Sequence, residues 1–218
     1  MRKLIIVLVL TATVLSGSLM AAGIGTAAGT TLLQPVSAKS AGTAEACTAL
    51  SGDLISLHYN PAGLAALKSQ DVSMMYQLGV AGDSFASVIY GKNMSFANIG
   101  ASLLYYNTGI IQVEDTNGNS LNETGQSDFI LTVGGARAFG KISAGLAAKV
   151  ITSQIFGKGA AALAVDIGGQ MAGKQIAGGN MNYGIAIQNL GTRLTYGATP
   201  EELPLKLRFG AAYSKTLS

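Results

Sequence analysis

From Asp71 onward the side chains of this chain alternate with a period of two. Val72, Met74, Tyr76 and Leu78 fall on one face and Asp71, Ser73, Met75 and Gln77 on the other, the pattern of a β-strand whose two faces meet different surroundings. Phe85 to Lys92 alternates less cleanly. The pattern returns in Ala97 to Tyr106 and in Phe129, Leu131 and Val133, where Arg137 interrupts the apolar face. It is cleanest in the four segments Ile142–Val150, Ala161–Gly168, Met181–Gln188 and Leu205–Ser214. About eight strands are predicted, and the class is all-β.

The two faces are unequal in an informative way. One is greasy, whereas the other is mostly Gly, Ala, Ser and Asn, broken by Lys149, Asp166, Gln188, Lys206 and Arg208. A soluble sheet would carry many Lys, Glu and Asp on its polar side, yet charged residues are only 11% of this chain, against about a quarter in ordinary soluble domains. The pattern therefore predicts a transmembrane antiparallel β-barrel with lipid outside and small side chains inside. Those five residues are candidates for the interior. Gly140-Lys141 and Gly157-Lys158-Gly159 read as tight turns, and Glu114–Ser127 and Gly191–Glu202 as long polar loops. If the N-terminal segment sits on the periplasmic side, both long loops fall outside the cell.

Before the strands the pattern is different. Arg2 and Lys3 precede the apolar run Leu4–Leu10, and Ala21-Ala22-Gly23 follows, the layout of a cleavable signal peptide over residues 1–22. A retained helix is the competing reading, since Leu4 to Ala22 is just long enough to span. Residues 23–70 form an N-terminal insert, and 71–218 the strands. Gly23 to Lys39 shows no period, and Ala-rich Ser40–Leu50 suits a short helix. Asn60 is a preferred N-cap, Pro61 suits a first helical position, and Ala62–Lys68 can complete two turns. An eight-stranded barrel fills its interior with its own side chains, so an insert of this length implies a larger one. The final Ser214–Ser218 lacks a terminal aromatic, and the chain reads as the first part of a longer barrel.

Candidate chemistry is sparse. No spacing of Ser, Asp and the single His58 would assemble a triad or an acid–base pair, so no catalytic residue and no cofactor is expected. His58 lacks ligand companions, Cys47 has no disulfide partner, and Asp115, Asn117 and Asn119 imitate a calcium loop in which Ser120 replaces the Gly and Gln126 the Glu. No metal is expected. Asn122-Glu123-Thr124 fits a glycosylation sequon by chance. Lys and Arg are scattered, which argues against nucleic acid as a partner.

Gly25-Thr26-Ala27-Ala28, Pro35-Val36-Ser37-Ala38-Lys39, Leu57-His58-Tyr59-Asn60-Pro61-Ala62-Gly63-Leu64-Ala65, Asn189-Leu190-Gly191, Glu202-Leu203-Pro204-Leu205 and Gly210-Ala211-Ala212-Tyr213 resemble the PorV/PorQ-like outer-membrane proteins, which are related to the FadL family of hydrophobic-compound transporters. The resemblance implies a FadL-like barrel of fourteen strands, of which about eight are present here, with an N-terminal hatch in its interior. It makes Asn60, Pro61, Ala62, Gly63 and Leu64 hatch or gating residues. It also implies outer-membrane lipid as surroundings and a hydrophobic small molecule as cargo, moved passively as the hatch shifts. The alternative is a PorV-like adaptor of type IX secretion that binds exported proteins or the secretion machinery. A structural barrel without transport is the blandest reading.

Overall fold

The computed structural model describes residues 28–114, 118 and 120–215; the leader and the calcium-like positions Asp115, Asn117 and Asn119 lie outside them. Its framework is one antiparallel sheet of eight strands. Their spatial order is β1 (Asp71–Leu78), β2 (Ser84–Lys92), β3 (Asn98–Asn107), β6 (Gln126–Phe139), β7 (Ile142–Ile155), β8 (Lys158–Ile176), β9 (Gly179–Gly191) and β12 (Lys206–Ser214). The remaining strands form two small hairpins, β4 (Ile110–Glu114) with β5 (Ser120–Thr124), and β10 (Leu194–Thr195) with β11 (Pro200–Glu201). The large sheet curls into a half-barrel with β1 and β12 as its edges.

Alternation decides which side chains line each surface. Leu103, Tyr105, Phe129, Leu131, Val150, Leu163, Ile185 and Phe209 all project from the convex face and are exposed. The concave face carries Phe85, Ser87 and Ile89 on β2, Ser102 and Leu104 on β3, and Asp128, Ile130 and Thr132 on β6, all buried. What covers them is the insert, Ala28–Gln70. This segment contains a 3-10 turn (Thr30–Leu33), α1 (Ala38–Gly42), α2 (Ser56–Tyr59) and a second 3-10 stretch (Pro61–Ala66). Ser37 caps α1: its Oγ accepts from the Ser40 amide at 3.0 Å while Ser40 Oγ accepts from the Ser37 amide at 3.1 Å, satisfying two amides that the helix start leaves free. Leu57 and Leu64 of the insert meet Phe85, Ile89, Leu104, Ile130 and Ile151 of the wall in one core.

The connections separate into two ends. At the turn end, where β1 begins, lie 93–97, 140–141 and 177–178; at the loop end lie 79–83, the β4–β5 hairpin, 156–157 and 192–205. Phe156-Gly157 and Ala177-Gly178 have positive φ at both residues, matching the twist of the strands they join. The insert spans the depth of the concave face. It starts at the loop end, where the Ala28 amide donates to Glu202 O at 3.1 Å, and leaves at the turn end into β1.

Several local expectations change. Glu114–Ser127 is not a loop, because Ile110–Glu114 and Ser120–Thr124 pair as β4 and β5 and β6 already begins at Gln126. The helix expected over Ser40–Leu50 is confined to α1, since Ala44 and Glu45 take positive φ and turn the chain away. The stretch after Asn60 is 3-10 rather than α and ends at Ala66. The turn expected at 157–159 is Phe156-Gly157, with Lys158 and Gly159 already in β8. β2 alternates fully in space; its sequence hid this because Phe85 and Ile89 face the insert while Val88 and Tyr90 face outward.

Leu57 is fully buried against Gly100 and Gly134. Replacing Leu57 by Ala should lower unfolding stability by about 2–5 kcal/mol, because the surrounding wall cannot collapse into the space. The midpoint of urea unfolding with an unchanged slope is the measurement.

Candidate functional site

The corner at Asn60 is seated in a trough of glycines. Gly91, Gly100, Gly134, Gly145, Gly168, Gly184 and Gly210 place one glycine on the concave face of each of the seven large-sheet strands β2, β3, β6, β7, β8, β9 and β12. They follow the register: Gly91 pairs Gly100, Gly100 pairs Gly134, Gly145 pairs Gly168 and Gly184 pairs Gly210. A Cβ at Gly168 would fall on Asn60 Oδ1, one at Gly145 on the Pro61–Ala62 peptide, and one at Gly184 on Thr48 O. Close approach of two backbones is what these glycines permit. Asn60 itself is fully buried, with Oδ1 accepting from the Ala62 amide at 3.2 Å and Nδ2 donating to Thr48 O at 2.8 Å and Gly169 O at 3.1 Å. One amide side chain thus caps its own turn and fastens it to both the insert and β8. Ala62, Gly63 and Leu64 are buried beside it, Leu64 over Gly100.

An irregular segment buried in this way must find partners for its backbone carbonyls. The wall supplies them as side-chain donors. Asn98 Nδ2 donates to Leu64 O at 2.8 Å and to Leu67 O at 2.9 Å. Gln170 Nε2 donates to Leu50 O at 2.8 Å and Thr48 O at 3.1 Å, Ser87 Oγ to Val36 O at 2.6 Å, and Gln188 Nε2 to His58 O. The polar face of the strands is therefore complementary to the insert rather than to water.

A second group of side chains closes around Lys149 and Asp166. Their salt bridge is 2.7 Å long with the side chains 4% and 0% exposed. Burying such a pair is costly unless further hydrogen bonds complete it. Asn189 completes both halves: Oδ1 accepts from Lys149 Nζ at 2.7 Å, and its backbone N–H donates to Asp166 Oδ1 at 2.8 Å. It can do so because the β8–β9 register shifts between Val165 and Ile167, and Asn189 sits at φ +60°. This bulge turns both Gln188 and Asn189 inward, where strict alternation would send one of them out. Next to it, Arg208 donates to Gln188 Oε1 at 2.6 Å and to Glu45 Oε2 at 2.7 Å, and lies 5.0 Å from the Tyr59 ring centre. Lys206 Nζ is 3.9 Å from the same carboxylate. All five polar residues singled out in the strands, Lys149, Asp166, Gln188, Lys206 and Arg208, line the concave face, and they form one contiguous cluster against the insert. The cavity that Lys149, Gln188, Asn189 and Arg208 leave against Glu45 and His58 has a volume of about 10 Å³, room for about one water molecule.

His58 stands at the rim of this cluster, 2.8 Å from Ser102 Oγ. Burial, reinforced by the positive charge of Lys149, lowers its pKa to about 3. It is neutral at every physiological pH. Asp128 forms a separate anchor near the loop end, accepting from Thr31 and Ser153 hydroxyls and from Gln126 Nε2 at 2.7 Å. Sequence reasoning missed Glu45, Asn98, Asp128, Gln170 and Asn189. Asn98, Asp128 and Gln170 carried the only available signal, that of a polar residue on a small-residue face. No protein-family model matches the chain, and no curated protein matches it.

Two outcomes follow. Gly168→Ala should destabilise the folded protein by about 3 kcal/mol or more, whereas Gly169→Ala, whose Cβ points outward and meets only Ile185 at 3.6 Å, should change it by less than about 1 kcal/mol. Urea midpoints of the two variants side by side test this. For His58 the folded pKa lies below the unfolded 6.5, so its neutral form favours the fold above pH 6.5, and stability is lost as pH falls toward 3. The slope from this group approaches about 1.4 kcal/mol per pH unit. Unfolding free energy measured against pH should flatten over that window in His58→Gln.

Proposed function

We propose that the chain is part of an outer-membrane β-barrel of the FadL-like kind, related to PorV/PorQ-like proteins, which passes hydrophobic small molecules when the insert moves. The observation that carries this reading is the inversion of ordinary protein design. The apolar side chains of the strands cover the convex surface, while the buried polar groups face the insert. A contiguous exposed face of Leu, Ile, Val, Phe and Tyr is far larger than a soluble monomer carries, and in lipid it is favourable. In that medium the edges β1 and β12 require further strands, since an open sheet edge is not tolerated in hydrocarbon. Residues 1–22 serve as the export signal in this reading.

The insert lies where a solute would have to pass, and it occupies the concave face from the loop end to the turn end. Passage then requires displacement of the Asn60–Leu64 corner from its trough. The density of bonds holding the insert supports a second reading, in which it stays in place and the barrel works as a PorV-like adaptor for exported proteins. A crosslink separates the two. Thr31 of the insert donates to Asp128 of the wall, so Thr31→Cys with Asp128→Cys, in a Cys47→Ala background, should tie them together when oxidised. Uptake of a hydrophobic fluorescent probe should fall at least about tenfold on oxidation and return on reduction. Uptake unchanged by the closed crosslink would end the gating idea, and no uptake by the unmodified protein would end the transport reading.

A further inference from the structure

The charges outside the interior are sorted by end. At the turn end, Lys68, Lys92, Arg137, Lys141, Lys174 and Lys215 are all exposed, with Asp71 the one carboxylate among the described residues there. At the loop end the balance reverses: among the described residues Asp83, Glu114, Glu123, Glu201 and Glu202 face only Lys158 and Arg193, and Arg193 is already paired with Glu202 at 2.8 Å. Little else can neutralise the basic rim, because the other described charges are engaged within the insert or on the concave face.

The basic rim is also backed by aromatic rings. Three strands finish on an aromatic followed two residues later by Lys: Tyr90-Gly91-Lys92 on β2, Phe139-Gly140-Lys141 after β6, and Tyr213-Ser214-Lys215 after β12. Each ring is exposed on the convex side. Arg137 stands 5.6 Å from the Phe139 ring centre. Tyr213 lies across Gly179 and donates to Ala177 O at 3.3 Å, which fixes its ring at the turn, and the Lys215 side chain rests 3.7 Å from the position a Cβ would take at Gly178. Aromatic rings at strand ends form girdles at the boundary between hydrocarbon and headgroups, tyrosine with its hydroxyl toward the polar layer, and Lys beyond them reaches into the headgroup layer.

We infer that the turn-end rim is a docking collar for anionic glycerophospholipid headgroups, with the lysines of the three aromatic-x-Lys strand ends as its phosphate contacts. The inference rests on the membrane reading and adds a lipid preference and an address to it. With the long connections outside the cell, the collar meets the inner leaflet, and the acidic loop-end rim repels the same lipid from the other side.

The test uses the full-length protein inserted into vesicles of phosphatidylcholine, with and without phosphatidylglycerol, and reads the unfolding half-time on heating. Each basic residue near an anionic surface is expected to change such a rate about fivefold, so phosphatidylglycerol should lengthen the half-time at least about tenfold, an effect that high salt removes. Lys92→Gln/Lys141→Gln/Lys215→Gln should lose the gain while keeping its half-time in phosphatidylcholine. Lys158→Gln/Arg193→Gln at the other rim should keep the gain. Insertion with equal half-times in both vesicles, or a gain that survives in the triple variant, overturns the collar and leaves the membrane reading standing. Failure to insert into either vesicle overturns both.

Discussion

The structure depends on one requirement: an irregular segment buried against a sheet must have its backbone carbonyls satisfied. Helices and strands meet this need internally, but the insert is mostly turns and 3-10 stretches, which leave carbonyls at Val36, Thr48, Leu50, His58 and Leu67 without a regular partner. Ser87, Gln170, Gln188 and Asn98 meet them from the wall. An unsatisfied buried carbonyl costs about 1–3 kcal/mol. The polar positions of the strands are thus set by the insert's backbone, and each would be a liability without it.

The glycine trough is the steric counterpart of this bonding. Seven strands each give up a side chain where the insert comes closest; of the pairings, Gly145 with Gly168 meets the Asn60 corner directly and Gly184 with Gly210 meets Thr48 beside it. Glycine in a strand is intrinsically unfavourable, and here the loss is offset by backbone contact with Asn60, Pro61 and Thr48. Asn189 shows the same trade in another form. A non-glycine residue at positive φ is uncommon, and its bulge is held by the ion pair that it completes.

Much of the sheet could be read from alternation, because residues such as Leu146, Ala148 and Val150 against Ala147 and Lys149 meet two chemically different surroundings. Where the surroundings converge, the signal fades. Phe85 and Ile89 point into the insert core while Val88 and Tyr90 point outward, so both faces of β2 are apolar. The short strands β4 and β5 were hidden by the polar residues between them. The Asn60–Pro61 cap was legible as local chemistry, and Lys149, Asp166, Gln188, Lys206 and Arg208 as exceptions on a small-residue face. Their mutual contact was not legible, because Glu45 and Arg208 meet across 163 residues. Asn189 entered only within the Asn189-Leu190-Gly191 motif, and alternation gave no warning of its inward turn, since a bulge breaks the very period that sequence reading follows.

That long separation bears on how the molecule comes to be. The insert leaves the ribosome before any strand, yet the groups that hold it arrive in turn on β2, β3, β6, β8, β9 and finally β12. Its seat is complete only when nearly all of the sheet exists. Contacts so distant along the chain form slowly and leave greasy surface bare meanwhile. The newborn polypeptide should therefore need an escort, and the corner at Asn60 should be among the last regions to become shielded from hydrogen exchange.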